Sequence, residues 1–270
     1  LAKVNLNTGN LETEFSTSPG MDSAVSALLI ANSALYVGGS FTNYRGVSTV
    51  SLAKLSLTSG ERDTGFSLNT GMNGAVFALA ATGSHLFVGG AFTSYQSSTA
   101  QRLVKMNINT GSLDSAFTIA SGANGTVLSL AIAGSLLYLA GDFTTYRDST
   151  AQRLAAVNLT NGSLDPTFMQ NMGTGANGTV RALAVSGPSL YLGGDFSTYR
   201  GATAQRLAKV DLTTGDLDQD FTQSTGASST VLFLGVSGTA LQAGGSFGTY
   251  RGFAAPNSAI VDLANGTLAD

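Results

Sequence analysis

Five short stretches carry the side chains most suited to recognition chemistry. They read "LYVGGSFTNYRG" from Leu35, "LFVGGAFTSYQS" from Leu86, "LYLAGDFTTYRD" from Leu137, "LYLGGDFSTYRG" from Leu190 and "LQAGGSFGTYRG" from Leu241. Each ends on an aromatic beside a polar or cationic residue. The candidate binding residues are Tyr44 and Arg45, Tyr95, Tyr146 and Arg147, Tyr199 and Arg200, and Tyr250 and Arg251. Tyrosine and arginine combine large contact area with flat, directional polar tips, which suits protein and carbohydrate surfaces. A pattern present in every repeat also has an architectural reading, in which the arginines reach the carboxylates Glu12, Asp63, Asp114, Asp165 and Asp218 and tie the units together.

Catalytic chemistry finds less support. Glycoside hydrolysis needs two acids at a defined separation, and Asp142 and Asp195 follow the glycine pair in two repeats, where Ser40, Ala91 and Ser246 stand in the others. Small acids at strand ends more often bond nearby amides. His85, the single histidine, is expected in the A-B turn, and cysteine is absent, which disfavours triad and thiolate-metal chemistry. "GTGANG" at Gly173 to Gly178 matches a phosphate-cradling fingerprint in letters, but a strand rather than a helix is expected after it. "DLDQD" at Asp216 to Asp220 alternates carboxylates without the glycine and glutamate of a calcium loop, and reads as a solvated strand. No cofactor and no metal is expected. Arg181 breaks the repeat, since Ser26, Phe77, Leu128 and Leu232 are its counterparts; it would line a channel mouth, form a structural ion pair or be an exposed strand end.

The elements that position these residues follow from the period. "LAKVNLNTGNLETEF" at Leu1 returns at Leu52, Leu103, Leu154 and Leu207, with a shortened copy at Ser258, at spacings of 51, 51, 51, 53 and 51 residues. Such a period marks stacked supersecondary units. Alternating side chains and tight-turn signals divide each unit into four short antiparallel strands, A (Val180 to Val185), B (Leu190 to Phe196), C (Leu207 to Leu212) and D (Leu217 to Phe221) in the fourth. Four-stranded units of this length predict the blades of a β-propeller, with an open solenoid or a sandwich as the competing all-β arrangements. Five A strands predict five blades in one domain over residues 1–270, with A innermost. The hairpins at 1–15 and 258–270 make six C-D pairs against five A-B pairs, so either end could complete the last blade, or the chain is a slice of a larger ring.

The motifs "LYVGGSFTNYRG" and "LAKVNLNTGNLETEF", with their repeats, resemble the delta-60 repeat, a bacterial β-propeller repeat family of undefined function, and more loosely the surface propellers of fungal polarity proteins. The resemblance covers essentially the whole chain and implies a propeller in a surface or secreted setting, with no catalytic residues to carry over. Gln96 in place of arginine and Ala140 in place of the first glycine depart from the pattern.

Composition bounds the partners. Of 270 residues 43% are hydrophobic and 11% charged, with a net charge of −3, so a core is available and the positive field that nucleic acid requires is not. No apolar run reaches the length of a membrane span. Low charge and abundant Ser, Thr and Gly fit secreted or surface-displayed proteins, and the start at Leu1 inside a repeat reads as a trimmed piece of a longer one. Long B-C and D-A connections, set against tight A-B and C-D turns, put the functional face on the D-A/B-C side. The expectation is therefore a non-enzymatic extracellular or cell-surface module binding a protein or glycan; the alternatives are a polysaccharide-active enzyme using Asp142 and Asp195, or a structural spacer.

Overall fold

A computed structural model describes residues 1–16, 20–66, 71–117, 122–222 and 226–269. The expected D-A loops fall partly at 17–19, 67–70, 118–121 and 223–225, outside the described residues. The chain forms two compact bodies, Leu1–Gly122 and Ala123–Asp270.

The fold is all-β, built of propeller-like repeats. In the N-terminal body the first repeat pairs Val25–Ala31, Ala34–Gly39 and Leu52–Ser56, and the second pairs Val76–Thr82, His85–Gly90 and Leu103–Asn107. In the C-terminal body the third repeat pairs Val127–Ala133, Leu136–Gly141 and Leu154–Asn158. The fourth uses Val180–Ser186, Ser189–Gly194 and Leu207–Asp211, and the fifth Val231–Ser237, Ala240–Gly245 and Ser258–Asp262. Each three-stranded sheet has the order A, B, C, antiparallel throughout. The fourth segment contributes a single bridge to C, such as Val210 to Leu217, where a full strand D was expected.

The reason is local. Asp63, Asp114 and Asp218 turn back on the chain, each accepting from an amide two or three residues on, such as Gly65 and Phe221. Aspartate offers the backbone this alternative to a ladder. In the third repeat the same turn grows into the one described helix, Pro166–Met172, with Asp165 as N-cap bonded to the Phe168 amide at 2.8 Å and proline in the first turn. That helix occupies the repeat whose spacing is 53 residues rather than 51.

The glycine pair has two separate explanations. A Cβ on Gly39, Gly90, Gly141, Gly194 or Gly245 would lie 1.9–2.1 Å from the backbone carbonyl oxygen of the residue just before the A strand, next to the bulge in each ladder. Backbone cannot yield, so the second glycine stands in all five repeats. At Gly38 and Gly193 the nearest atoms belong to the valine side chains Val76 and Val231. A side chain can be accommodated, and Ala140 occupies that position in the third repeat, fully buried.

Within each body, neighbouring repeats stack through apolar faces. Val180 and Leu183 pack on Tyr138, Ala140 and Ala156, while Val231 and Leu234 pack on Ala182, Ala184 and Tyr191. Buried tyrosine hydroxyls bridge repeats by donating to carbonyls at the end of the next C strand: Tyr36 to Ile108 at 2.7 Å, Tyr138 to Leu212 at 2.6 Å and Tyr191 to Leu263 at 2.9 Å.

Ala240–Gly245 pairs with Ser258–Asp262 over five residues, so the last A-B pair is completed by the C-terminal copy. In the hairpin of residues 1–15 Val4 bridges Leu11, and Phe15 packs against Leu35, Val37 and Phe41 of the first repeat.

Candidate functional site

Each B-C connection folds into a two-residue ribbon, Asn43–Tyr44 against Val47–Ser48 in the first repeat. The turn between them places two successive residues at positive φ: Arg45 at 50° and Gly46 at 77°, Gln96 and Ser97 at 47° and 65°, Arg147 and Asp148 at 46° and 62°. Arg200 with Gly201 and Arg251 with Gly252 repeat this. Mirror-image turns of this kind match strand twist and normally recruit Asn or Gly. The arginines and Gln96 thus occupy a backbone conformation that side chains rarely adopt.

A polar residue of the D-A connection holds each ribbon from below. Asn73 Oδ1 accepts from the amides of Thr93 (2.7 Å) and Ser94 (2.9 Å), and its Nδ2 donates to Thr93 Oγ1. Asn124 and Asn177 do the same for 144–145 and 197–198; Ser228 uses its hydroxyl on Gly248 and Thr249. In the first repeat the clamp is Asp22, whose carboxylate accepts from the Thr42 amide, Thr42 Oγ1 and Asn43 Nδ2 and is held well below the ordinary range by those bonds. Sequence reasoning missed this residue. Its signal was the aligned Asp, Asn, Asn, Asn, Ser in "SPGMDS", "NTGMNG" and their counterparts, side chains that characteristically bond backbone a few atoms away.

The tyrosines are buried, from 0% to 3% exposed. Each hydroxyl donates to the carbonyl of its own repeat's C-D turn glycine: Tyr44 to Gly60 (2.7 Å), Tyr95 to Gly111 (2.5 Å), Tyr146 to Gly162 (3.0 Å), Tyr199 to Gly215 (3.0 Å) and Tyr250 to Gly266 (2.8 Å). A buried hydroxyl needs an acceptor, and this carbonyl supplies it. Each tyrosine thus ties its B-C ribbon to the C-D turn of the same repeat. Burial pushes the Tyr146 and Tyr250 phenols up to about 12, and raises Tyr95 and Tyr199 as well.

The arginines divide into two groups. Arg45 donates from Nη2 to the carbonyls of Phe15 (2.7 Å) and Ser59 (3.2 Å), Arg147 to Asn161 (3.1 Å), and Arg251 to Asn265 (3.3 Å) and Phe221. All three lie over the ring of the preceding tyrosine, 5.2 to 5.7 Å from its centroid. Arg200 instead pairs with the Asp216 carboxylate at 2.5 Å. The Arg200 and Thr214 bonds hold the Asp216 carboxyl below its ordinary range. An open cleft of about 310 Å³ adjoins this pair, lined by Tyr199, Arg200, Ala202, Asp216, Leu217 and Gln219.

The expected pairing of tip arginines with the D-segment carboxylates is replaced by another. Lysines of strand C take those acids: Lys54 with Asp63 at 2.8 Å, Lys105 with Asp114 at 2.9 Å and Lys209 with Asp218 at 2.8 Å. Each ammonium also sits 5.7 to 6.0 Å from a phenylalanine centroid, Phe66, Phe117 or Phe221. The third repeat has Ala156 in the lysine position, and there Asp165 caps the helix.

Asp195 is held on both oxygens, by Arg181 Nε at 2.7 Å and by Thr230 Oγ1 at 2.6 Å. Arg181 thus forms an ion pair, one of its three readings. Asp142 donates its amide to the Thr126 carbonyl. In "DLDQD" the first two carboxylates pair with Arg200 and Lys209, in a turn rather than a strand. "GTGANG" starts at the helix C-cap Gly173 and runs into the Asn177 clamp before strand Val180–Ser186. His85 opens a B strand opposite Thr82 and Asn107, one residue past the turn where it was expected. Among the described residues no helix is long and apolar enough to cross a membrane.

Comparison with known proteins places this geometry. The model of the "Domain of unknown function (DUF5122) beta-propeller" matches residues 34–66, 85–117 and 134–168, in register with the repeats described above. The computationally designed Ika8 protein aligns with a TM-score of 0.61 at 17% identity, over 99% of this chain and 66% of its own. The chain thus spans about two thirds of that protein's length. The WD40 beta propeller domain of Doa1 aligns with a TM-score of 0.61 at 13% identity, covering 95% of this chain and 70% of that domain. At such identities the likeness speaks to fold alone. No curated protein matches. Three of the repeats match the DUF5122 beta-propeller model, consistent with the delta-60-like family of unknown function that the motifs resemble.

Proposed function

We propose that the chain is a non-enzymatic recognition module of an extracellular or cell-surface protein, each of its five repeats serving as one propeller blade, and that it takes a protein or glycan partner at the ribbon side. The observation that supports this reading is the Arg200 tip. Its guanidinium rests on a carboxylate that is 61% exposed, beside an open cleft, whereas Arg45, Arg147 and Arg251 are engaged with backbone carbonyls. An exposed ion pair contributes about 0–1 kcal/mol, so a carboxylate-bearing partner can exchange with Asp216 at little cost. Tyr199 is a support for this site, with its hydroxyl already bonded to Gly215.

The test is binding to arrays of acidic and neutral glycans and to envelope protein extracts. Saturable binding should weaken by about tenfold in Arg200→Ala and stay unchanged in Arg147→Ala, since one lost charge-assisted contact is worth roughly that much. Absence of binding to every probe would favour the spacer reading. Turnover of a polysaccharide that disappears in Asp142→Asn and Asp195→Asn would favour the enzyme.

A further inference from the structure

The third repeat keeps an acid whose partner it lacks. In the first, second and fourth repeats the D-segment aspartate divides its two oxygens between two tasks. Oδ1 accepts from an amide of the turn that follows, Gly65, Phe117 or Phe221, and Oδ2 takes the ammonium of a strand C lysine at 2.8–2.9 Å. That lysine stands directly opposite an aromatic of strand B: Lys54 opposite Tyr36, Lys105 opposite Phe87 and Lys209 opposite Tyr191. Elsewhere in the sequence acid and lysine also go together, since Lys3 accompanies Glu12 and the fifth repeat has neither, with Ile260 and Ala269 in their places. Only the third repeat has the acid alone, Asp165, with Ala156 opposite Tyr138.

Helix capping accounts for half of that carboxylate. Asp165 Oδ1 accepts from the Phe168 amide at 2.8 Å, as Oδ1 does in the other repeats, while Oδ2 has no hydrogen-bond or ion-pair partner among the described residues. A cap needs only an oxygen, which asparagine or serine supplies equally well, so the helix does not explain the charge. The aromatic pair beside it is intact, with the Tyr138 and Phe168 ring centroids 5.4 Å apart, as those of Tyr191 and Phe221 are. Asp165 lies on the wall of an open groove of about 420 Å³ between the third and fourth repeats, together with Leu136, Tyr138, Pro188 and Leu212. Among the described residues no cationic side chain lines this groove, whereas the corresponding groove of the first repeat has Lys54 and Arg62 beside Asp63.

We propose that Asp165 anchors a binding site for a primary ammonium group on a slender alkyl chain, the chemistry of the lysine that its repeat lacks. The ammonium bonds Oδ2, and the alkyl chain lies along Leu136, Pro188 and Leu212, whose apolar surfaces favour the burial of methylene groups. The ligand class is argued from the chain itself, which places an ammonium on the equivalent oxygen in three other repeats. Hydrogen bonds between ionised partners are roughly twice as strong as neutral ones, so the N–H groups matter as well as the charge. The site shares no residue with the cleft at Arg200 and does not depend on it.

The probe is n-propylammonium chloride, the atoms that separate an alanine side chain from a lysine, titrated into the isotope-labelled whole chain and followed by NMR at the Thr167 and Phe168 amides. Saturable shifts are expected. Affinity should fall by about tenfold in Asp165→Asn, which keeps a capping oxygen and removes the charge. Binding should be lost in Ala156→Lys, where an internal ammonium fills the place. Tetramethylammonium chloride carries the charge without an N–H and should leave both amides unmoved. Nα-acetyl-lysine methylamide separates the sources: if it binds as propylammonium does, the site accepts a lysine of another polypeptide, and if the free amine alone binds, the site is one for small amines. Equal shifts with tetramethylammonium, unchanged affinity in Asp165→Asn, or absence of saturation would overturn the proposal. Asp165→Asn is a near-isosteric change whose fold circular dichroism checks, so the result stands whether or not Ala156→Lys folds.

Discussion

The tips around Arg45 and Arg200 have almost the same sequence, "NYRG" and "TYRG", the same turn and the same tyrosine bond, yet the two guanidinium groups do different things. Arg45 is 19% exposed and spans two carbonyls of adjoining turns; Arg200 is 32% exposed and holds a carboxylate. The difference lies outside the motif. Position 216 is an aspartate, where the first repeat has Glu61 at 3.7 Å from Arg45 and the others have Ser112, Ser163 and Thr267. A short charge-assisted bond outcompetes neutral carbonyls. Upstream, Phe15 ends a turn and Phe168 sits inside a helix, so the neighbours on the far side differ too. A repeated motif specifies the scaffold, and its surroundings decide whether one copy is free for recognition.

That comparison can be broken at several depths. The scaffold beneath both tips should be equally intolerant: Gly39→Ala and Gly194→Ala each drive a Cβ to 2.1 Å from a carbonyl oxygen and should cost about 3 kcal/mol in denaturant unfolding. Unequal losses would mean that the repeats differ below the tips as well. Tyr44→Phe and Tyr199→Phe leave buried glycine carbonyls without their donor and should each cost about 1–3 kcal/mol. Arg45→Ala should cost about 1 kcal/mol through two lost bonds, and Arg200→Ala less than that, because its pair is more exposed. Equal losses would remove the basis for treating Arg200 as the available one.

The smallest effects per residue come from pH. Asp63, held low by its bond to Lys54, and Asp216, held low by Arg200, favour the folded state above the ordinary aspartate value near about 4. Stability should fall as pH drops below that, where the unfolded chain takes up protons first. The buried tyrosines act at the other end: with phenols raised by burial they stay neutral when unfolded tyrosines ionise near about 10, so stability should fall again above it. Midpoints of urea unfolding from pH 3 to 11 test both arms; a flat profile above 10 would contradict the buried hydroxyls.

Much of the scaffold is legible in the residues themselves. The period fixes the repeats, and alternation fixes the A, B, C order, because both depend on local spacing. Strand D was over-read because Asp218 and its counterparts look like strand residues until their carboxylates are seen to bind amides two or three residues on. The helix had left its marks in Asp165-Pro166 and in two extra residues, an N-cap pair and the room to use it. The tips were the least legible part. Their fold-back depends on a tyrosine reaching a carbonyl 16 residues away, and on lysines taking the acids that the arginines seemed to need. Reach of that kind is set by the path of the chain between the two groups.

The clamp beneath the ribbons has a consequence for how the molecule ages. Asn73, Asn124 and Asn177 each precede a glycine, the pairing most prone to cyclise and lose its amide. The glycine cannot be exchanged, since a Cβ on Gly74 or Gly178 would sit 2.9 Å from the Cα of Phe92 or Phe196. Two backbone donors pin each side-chain oxygen and hold it from its own following amide. Asp22 already works as the acidic form of the same clamp, bonding Thr42 at 2.8 Å. A chain that deamidates at one clamp without rearranging its backbone therefore arrives at chemistry that its first repeat has used from the start.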